Sequence, residues 1–486
     1  MAEAIHELGE EQQLACNILE YTRNNVFVTG KAGTGKSYLL KYFVRNTAKK
    51  VVVLAPTGVA AINAGGQTIH SFFAFDHTIL DPAEVRINRK TAEILQEIDA
   101  FIIDEVSMVR SDLMECVNRK FQIALNNDLP FGGKQMIAFG DLYQLDPIVG
   151  DRQAETYLNE VYGGKHFFNA PVIRDCDLTS IELSHIYRQK DIHFQELLNE
   201  IRDGTAGRGT IREFNHRYDR FPETDEILTI ATTNHTVNAI NSERLAALPG
   251  EVCSYQAEIR GDPRDCIKYT DEKLHLKMGA QVMLLRNKWE KGRLIWANGT
   301  IGRVVGLYDD RIRVAVEDRV FNIEKVTWDT KKYKYDEVTG QLITETVAQF
   351  TQFPVCLAWA MTIHKAQGKT FRRVNVDFGR GAFAHGQAYV ALSRSESMEG
   401  LYLSTPLKGK DIIIHSDVAR FMTSAAMELE GQTDDVADDF DGSLSHEVEM
   451  FLNELDHERD ERGQESRPVQ GRDSFDNAAW DPGQHQ

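Results

Sequence analysis

Two doubly wound α/β domains in tandem are what the sequence predicts, with a small insert in the first and a small β-barrel insert in the second. Three observations lead there. At 486 residues the chain exceeds what one hydrophobic core usually supports. Continuous apolar runs of strand length alternate with helical stretches, as parallel strands covered on both faces require. A segment of different texture, residues 297–350, interrupts the second series of such runs.

In chain order, "NVFVTG" leads into the helix "SYLLKYFVRNT", "VVVLAPT" into "GVAAINAG", and "AFIIDE" into "MVRSDLMECVNRKFQIALNN"; "KQMIAFGD" is a further strand. This series assigns residues 1–185 to the first domain, with an insert over 75–98. The strands "DEILTIATT", "AQVMLL", "VCLAWAM", "RVNVDF" and "GLYLST" then build the second domain from residues 186–296 and 351–430. Between them, "GTIGRVVGLYDDRIRVAVEDRVFNIEKVTW" carries short β-type runs separated by Asp-Asp and Gly turns. It reads as a small barrel, or as a meander extending the main sheet. After Ser416, "DVARFMTSAAMELE" reads as a closing helix ended by Gly431, and residues 431–486 as an acidic, disordered tail.

A hydrophobic content of 42% and a charged content of 26% are ordinary for a globular protein, and no apolar run reaches a membrane span. The opening "MAEAIHELGEEQQ" lacks the basic-then-apolar pattern of a signal peptide. The six cysteines include no CxxC pair and read as free thiols of a reducing compartment, which points to the cytoplasm. The net charge of −18 is unevenly spread: residues 431–486 hold 16 acids against 4 bases, leaving the rest of the chain at −6. Such a body can still present a basic groove, so the total neither supports nor excludes nucleic acid.

"GKAGTGKS", Gly30 to Ser37, satisfies G-x-x-x-x-G-K-[ST] at every fixed position, after a strand and before a helix. Glycines let backbone N–H groups converge on phosphates, and the helix N-terminus adds positive potential. Gly30, Ala32, Gly33, Thr34 and Gly35 would cradle the phosphates. Lys36 would reach the β- and γ-phosphates, and Ser37 would ligate Mg²⁺. The strand "AFII" ends in Asp104 and Glu105, which would hold the metal and deprotonate the attacking water, respectively. A guanine reader of the N-K-x-D type is missing; the nearest match, "NKWE" at Asn287, ends in Glu. The expected ligands are ATP and Mg²⁺.

Further segments resemble, in order, superfamily-one helicases of the branch containing the Pif, RecD and Dda DNA helicases, with the Pif type closest over about residues 7–405. "LGEEQQLA" resembles the Q motif, with Gln12 reading adenine. "APTGVAA" and "GQTIHSFF" resemble motifs that contact single-stranded DNA, implicating Pro56, Thr57, His70, Ser71 and Phe72; the rings of Phe72 and Phe73 read either as platforms for stacked bases or as core. "GDLYQLDPI" resembles the motif in which Gln144 senses the γ-phosphate. "LSHIYRQ" supplies Arg188, and "GQAYVALSRS" supplies Arg394. "TTNHTVNAIN" adds Thr232 and Asn234 for DNA phosphates, with Asn241 as an alternative helix cap. "AMTIHKAQGKTF" places Gln367 and Gly368 toward the nucleotide and Thr362, His364 and Lys365 toward DNA.

The resemblance implies two RecA-like domains, a wedge over residues 75–98 and a barrel of the Src-homology type. It also implies an ATP-driven helicase moving 5′→3′ on single-stranded DNA and opening forks, with Lys36, Glu105, Gln144, Arg188 and Arg394 as catalytic residues. A monomer is expected. Two rivals stay open: a translocase that displaces proteins without unwinding, and a nucleotide-controlled DNA-binding module. The tail reads either as a solubilising extension or as an acidic strand mimic or protein-partner segment, with "EVEMFLNELDHE" as a short amphipathic helix.

Overall fold

The computed structural model describes residues 8–76, 78–187, 191–220, 227–263, 266–290, 293–296, 298–336 and 341–425. Six strands form a wholly parallel sheet: β1 (Asn25–Gly30), β2 (Val51–Ala55), β3 (Gln67–Thr68), β4 (Ala100–Ile103), β5 (Gln135–Phe139) and β6 (Leu178–Leu183). Their spatial order is β3-β2-β4-β5-β1-β6. β4 and β5 are buried along their whole length, which is why they read as unbroken apolar runs. Helices α1 (Glu10–Tyr21) and α2 (Lys36–Asn46) cover one face, where Leu39, Leu40 and Phe43 pack with Val26 and Val28. On the other face, Leu113, Val117 and Phe121 of the helix Ser111–Leu125 pack with Phe27 and Phe101. Burying each such side chain contributes about 1.5–3 kcal/mol. The order sets the carboxyl ends of β4, β5 and β1 side by side, where ligands of open α/β sheets bind.

A second parallel sheet runs Ala360–Thr362, Leu228–Ala231, Val374–Asp377, Leu401–Leu403. Phe194, Leu197, Leu198 and Ile201 of the helix Ile192–Asp203 share its core. An antiparallel five-stranded sheet follows the order Arg319–Glu324, Arg311–Val316, Ile301–Leu307, Gln281–Leu284, Val355–Leu357. The hairpin Val326–Asp336 and Gln341–Gln352 pairs instead with Glu258–Gly261. Among the described residues no helix is long and apolar enough to cross a membrane, and the six cysteines are free.

Three expectations are corrected. The strand "AQVMLL" does not enter the parallel sheet; Gln281–Leu284 pairs antiparallel on both edges, so the antiparallel region starts before residue 297. "VCLAWAM" is two strands: Val355–Leu357 joins the antiparallel sheet and Ala360–Thr362 the parallel one. An apolar run reports burial, not strand direction, so period alone could not separate these cases. The closing helix also changes sides. Residues 416–425 are helical, and they dock on the first sheet: Val418 is fully buried in its core and Phe421 stacks on Phe168 at 4.5 Å.

The stretch 75–98 has no core of its own among the described residues. Phe75, Leu80, Ile87 and Leu95 join the core of the first sheet. Lys120 fastens the stretch by donating to the carbonyls of Phe73 and Arg86 at 2.8 and 2.5 Å.

Candidate active site

The loop between β1 and α2 has the backbone its glycines require. Gly30, Gly33 and Gly35 have φ of 144°, 93° and 83°, a region that side chains disfavour. A Cβ on Gly35 would lie 2.4 Å from Gln12 Nε2, and one on Gly30 would lie 2.5 Å from the Leu183 carbonyl. Lys36 Nζ lies across the loop mouth, donating to the carbonyls of Gly30 and Lys31 at 2.5 and 3.0 Å. Ser37 is exposed on the first turn of α2. Gln12 is buried on α1, and its Oε1 accepts from the Gly9 N–H at 3.2 Å, which turns the amide nitrogen toward Gly35.

Asp104 is buried where β4 ends, and Glu105 follows it with φ 53°, a left-handed conformation costing about 1–2 kcal/mol for a residue with a side chain. That turn aims the Glu105 carboxylate across the cleft, where Oε2 accepts from Gln367 Nε2 at 3.0 Å. Gln367 also lies 3.4 Å from Gln144 Oε1, and Gln144 Nε2 donates to Asp141 Oδ2 at 3.1 Å. Burial, and then the adjacent Glu105, push the Asp104 carboxyl up to about 7. Burial also raises Glu105, against the pull of Lys36 and Arg394. Two adjoining carboxylates, raised by burial and within the field of Lys36, offer the oxygen ligands that a hard divalent cation takes.

Arg394 is 1% exposed, held by the carbonyls of Val390 and Lys369 and the Ser393 hydroxyl at 2.8, 3.0 and 2.8 Å. Arg188 lies outside the described residues. Gly368 has φ 75° in the turn after Gln367.

Several groups here were not expected from the sequence. Tyr187 donates its backbone N–H to the Gly33 carbonyl at 2.9 Å, and its exposed ring lies beside Gly9 and Gly35. From the second sheet's side, Tyr389 Oη accepts from the Ala32 N–H at 2.9 Å. Both tyrosines, and Asp141, lie inside segments already singled out for other residues. Arg202, in "LLNEIRDG", carried no motif.

The proposed DNA residues are less uniform. Thr57 and Thr362 are helix N-caps, accepting from the N–H groups of Ala60 and Lys365 at 3.2 and 3.3 Å. Ser71, Asn234 and Lys365 are exposed, Pro56, His70 and His364 are half-buried, and Thr232 is buried. Burial holds the His364 imidazole below its usual pKa. Of the two readings for Phe72, the core one fits: it is 7% exposed and packs edge-on against Phe73 at 4.8 Å inside the first core. Asn241 caps no helix either. Thr233 does, and the Asn241 amide makes two 2.9 Å bonds with the backbone of Ala360.

Comparison with known proteins fits this arrangement. The profile of the family described as PIF1-like helicase matches residues 8–210. The ATP-dependent DNA helicase Pif1 of Bdellovibrio bacteriovorus is 33% identical, over 82% of this chain and 88% of that protein. The corresponding Emericella nidulans protein is 32% identical over 82% of this chain, which spans only 60% of that relative. Among solved structures, Bacteroides sp. Pif1 in complex with ADP-AlF4 superposes with a TM-score of 0.80 at 35% identity, covering 87% of this chain and 98% of that one. Bacteroides Pif1 bound to ssDNA gives 0.65 at 36% identity, over the same shares. The chain belongs to the PIF1-like helicase family.

Proposed function

We infer that this chain is an ATP-dependent DNA helicase, hydrolysing ATP between its two parallel sheets while moving 5′→3′ along single-stranded DNA. The observation that carries the reading is the hydrogen bond from Gln367, on the second sheet's side, to Glu105, on the first, beside the Gly30–Ser37 loop. A cleft whose two walls share the base that activates water is one in which opening and closing control hydrolysis. The relatives' names, and solved complexes with ADP-AlF4 and with ssDNA, support the same reading.

In this mechanism the loop N–H groups and Lys36 bind the phosphates, and Gln12 and the Tyr187 ring hold the base. Ser37 and Asp104 would hold Mg²⁺, which would supply positive charge to the phosphates. Glu105 accepts the proton of the attacking water, oriented by Gln144 and Gln367. Arg394, with Arg188, offsets negative charge on the transferring phosphoryl group; an arginine in that role contributes about 10³–10⁵ in rate. Closure therefore favours hydrolysis, and product release favours opening, so the DNA-gripping surfaces shift once per cycle. Pro56, Thr57, His70, Ser71, Thr232, Asn234, Thr362, His364 and Lys365 belong to those surfaces; Phe72 does not.

On this reading the domains are RecA-like, the stretch 75–98 is a wedge that parts strands, and a Src-homology-type barrel lies within the antiparallel region. The enzyme acts as a monomer in the cytoplasm or on the nucleoid, and its tail takes a protein partner. Unwinding of duplexes with 5′ or 3′ tails, alongside ATPase assays with and without single-stranded DNA, tests the whole. Stimulated hydrolysis with opening of 5′-tailed forks is the expected result. Hydrolysis without opening would favour the protein-displacing translocase, and stimulation below about twofold a nucleotide-controlled binding module.

A further inference from the structure

Arg202 is an arginine with 4% exposure at the junction of the two parallel sheets. It sits near the end of the helix Ile192–Asp203, which is anchored in the second core. Its guanidinium points the other way. Nη2 lies 3.3 Å from Asp141 Oδ1 and 3.9 Å from Glu182 Oε1, and the guanidinium lies over the Tyr143 ring at 4.2 Å; all three partners belong to the first sheet or to the loop after it. Only Nη1 stays at home, on Asp203 at 3.0 Å. Asp141 is fully buried.

A buried ion pair of this kind is weak evidence for stability, because well-packed apolar residues often serve the fold as well or better. The Arg202 Nε–H even lacks an acceptor among the described residues. What the pair does uniquely is orient its neighbours. Asp141 Oδ1 faces Arg202, leaving Oδ2 to accept from Gln144 Nε2. An amide whose nitrogen is engaged must present its oxygen on the other side. Gln144 Oε1 accordingly faces Gln367 Nε2, the same nitrogen that donates to Glu105. The route from Arg202 to Glu105 thus crosses between the two sheets' sides three times.

We propose that Arg202 is a positioning residue for ATP hydrolysis, registering closure of the cleft through Asp141 and setting the Gln144 and Gln367 amides that orient Glu105. The proposal rests on the helicase reading above. It predicts a loss in turnover without a loss in binding, since Arg202 lies behind the sensor loop and touches no proposed ligand.

The test is a mutant cycle in the single-stranded-DNA-stimulated ATPase assay, with nucleotide and DNA affinities measured separately by fluorescence. For Arg202→Gln the expected result is a fall in kcat of about tenfold or more, with KM for ATP and DNA affinity within about twofold of wild type. Combined with Gln144→Ala, it should be no slower than the slower single variant, because both break one chain. Arg202→Lys, which keeps the charge and loses the planar fork, should recover part of the rate. A stimulated kcat within threefold of wild type, or a double variant slowed by the product of the two single effects, would overturn the proposal. If Arg202→Gln does not fold, as judged by circular dichroism and thermal melting, the cycle is run with Arg202→Lys under the same criterion of non-multiplicative loss. A wild-type enzyme that DNA fails to stimulate would instead remove the helicase reading itself.

Discussion

Glu105 occupies a conformation that its backbone disfavours, and a hydrogen bond from the opposite wall of the cleft accounts for its direction. Removing only its ability to take a proton separates chemistry from architecture. Glu105→Gln keeps the shape and can still meet Gln367, so ATP should bind with near-normal affinity while kcat falls about 10²–10⁴-fold, the range of a lost general base. Binding of a fluorescent ATP analogue beside steady-state hydrolysis checks both halves; a variant that stayed within threefold of wild-type turnover would assign the base elsewhere. Gly35 gives the complementary case. Its φ of 83° and the nearness of Gln12 mean that Gly35→Ala strains the loop and displaces the amide proposed to read adenine. Nucleotide affinity should drop at least about tenfold, while the free protein is destabilised by about 1–2 kcal/mol and still melts cooperatively above the assay temperature. Loss of that cooperative melt would show a folding defect instead.

At the scale of elements, the helical residues 416–425 tie the end of the described chain to the first sheet. An ionic cluster sits at their start. His166 bridges Asp417 Oδ2 at 3.0 Å and Asp146 Oδ1 at 3.1 Å, while Lys165 meets Asp146 at 2.7 Å, and His385 and His415 pack nearby. Burial lowers the His166 pKa, but hydrogen bonds to the two carboxylates outweigh it and hold the value above 6.5; the bond from His166 brings Asp417 down to about 2. The stabilisation from charged His166 is therefore complete below pH 6.5 and is lost as pH rises through the raised value. His385 and His415, lowered mainly by burial, work in the opposite sense, losing stability as pH falls below 6.5. The measurable quantity is thus a difference between variants. His166→Gln should cost about 1.5–3 kcal/mol near pH 6, the worth of charge-assisted bonds, and clearly less near pH 9. Denaturant melts at both pH values decide, and an equal cost at each would mean that the imidazolium is not what holds the helix. The sequence could not announce this element's docking. "DVARFMTSAAMELE" reads as a closing helix, but nothing in it names the sheet that receives Val418 and Phe421. The nucleotide loop and the acidic pair were legible because their chemistry is local: glycines with φ above 80° and a carboxylate at a strand end leave marks within ten residues. Sequence alone could not decide Phe72, because an aromatic beside exposed Ser71 looks the same whether its ring faces base or core. Arg202 and Tyr389 matter through partners 61 and 357 residues away, which no local pattern encodes.

For the whole molecule, charge is distributed against its proposed task. The chain proposed to grip a polyanion has a net charge of −18, and residues 431–486 carry −12 of that total. Tethered to the enzyme, such a segment would compete for a cationic groove at an effective concentration in the millimolar range. Competition of this kind is electrostatic and follows counterion release, so it should be strong in dilute salt and fade as salt rises. Truncation after residue 430 is therefore expected to tighten binding of a fluorescent oligothymidylate about threefold or more near 50 mM salt and to change it little near 300 mM, where the Debye length falls to about 6 Å. Stimulated kcat at saturating DNA should stay the same, because none of the residues proposed for hydrolysis belongs to the tail. Unchanged affinity at both salt concentrations would leave the tail as a solvated extension; an equal gain at both would point to steric rather than electrostatic blocking of the DNA path.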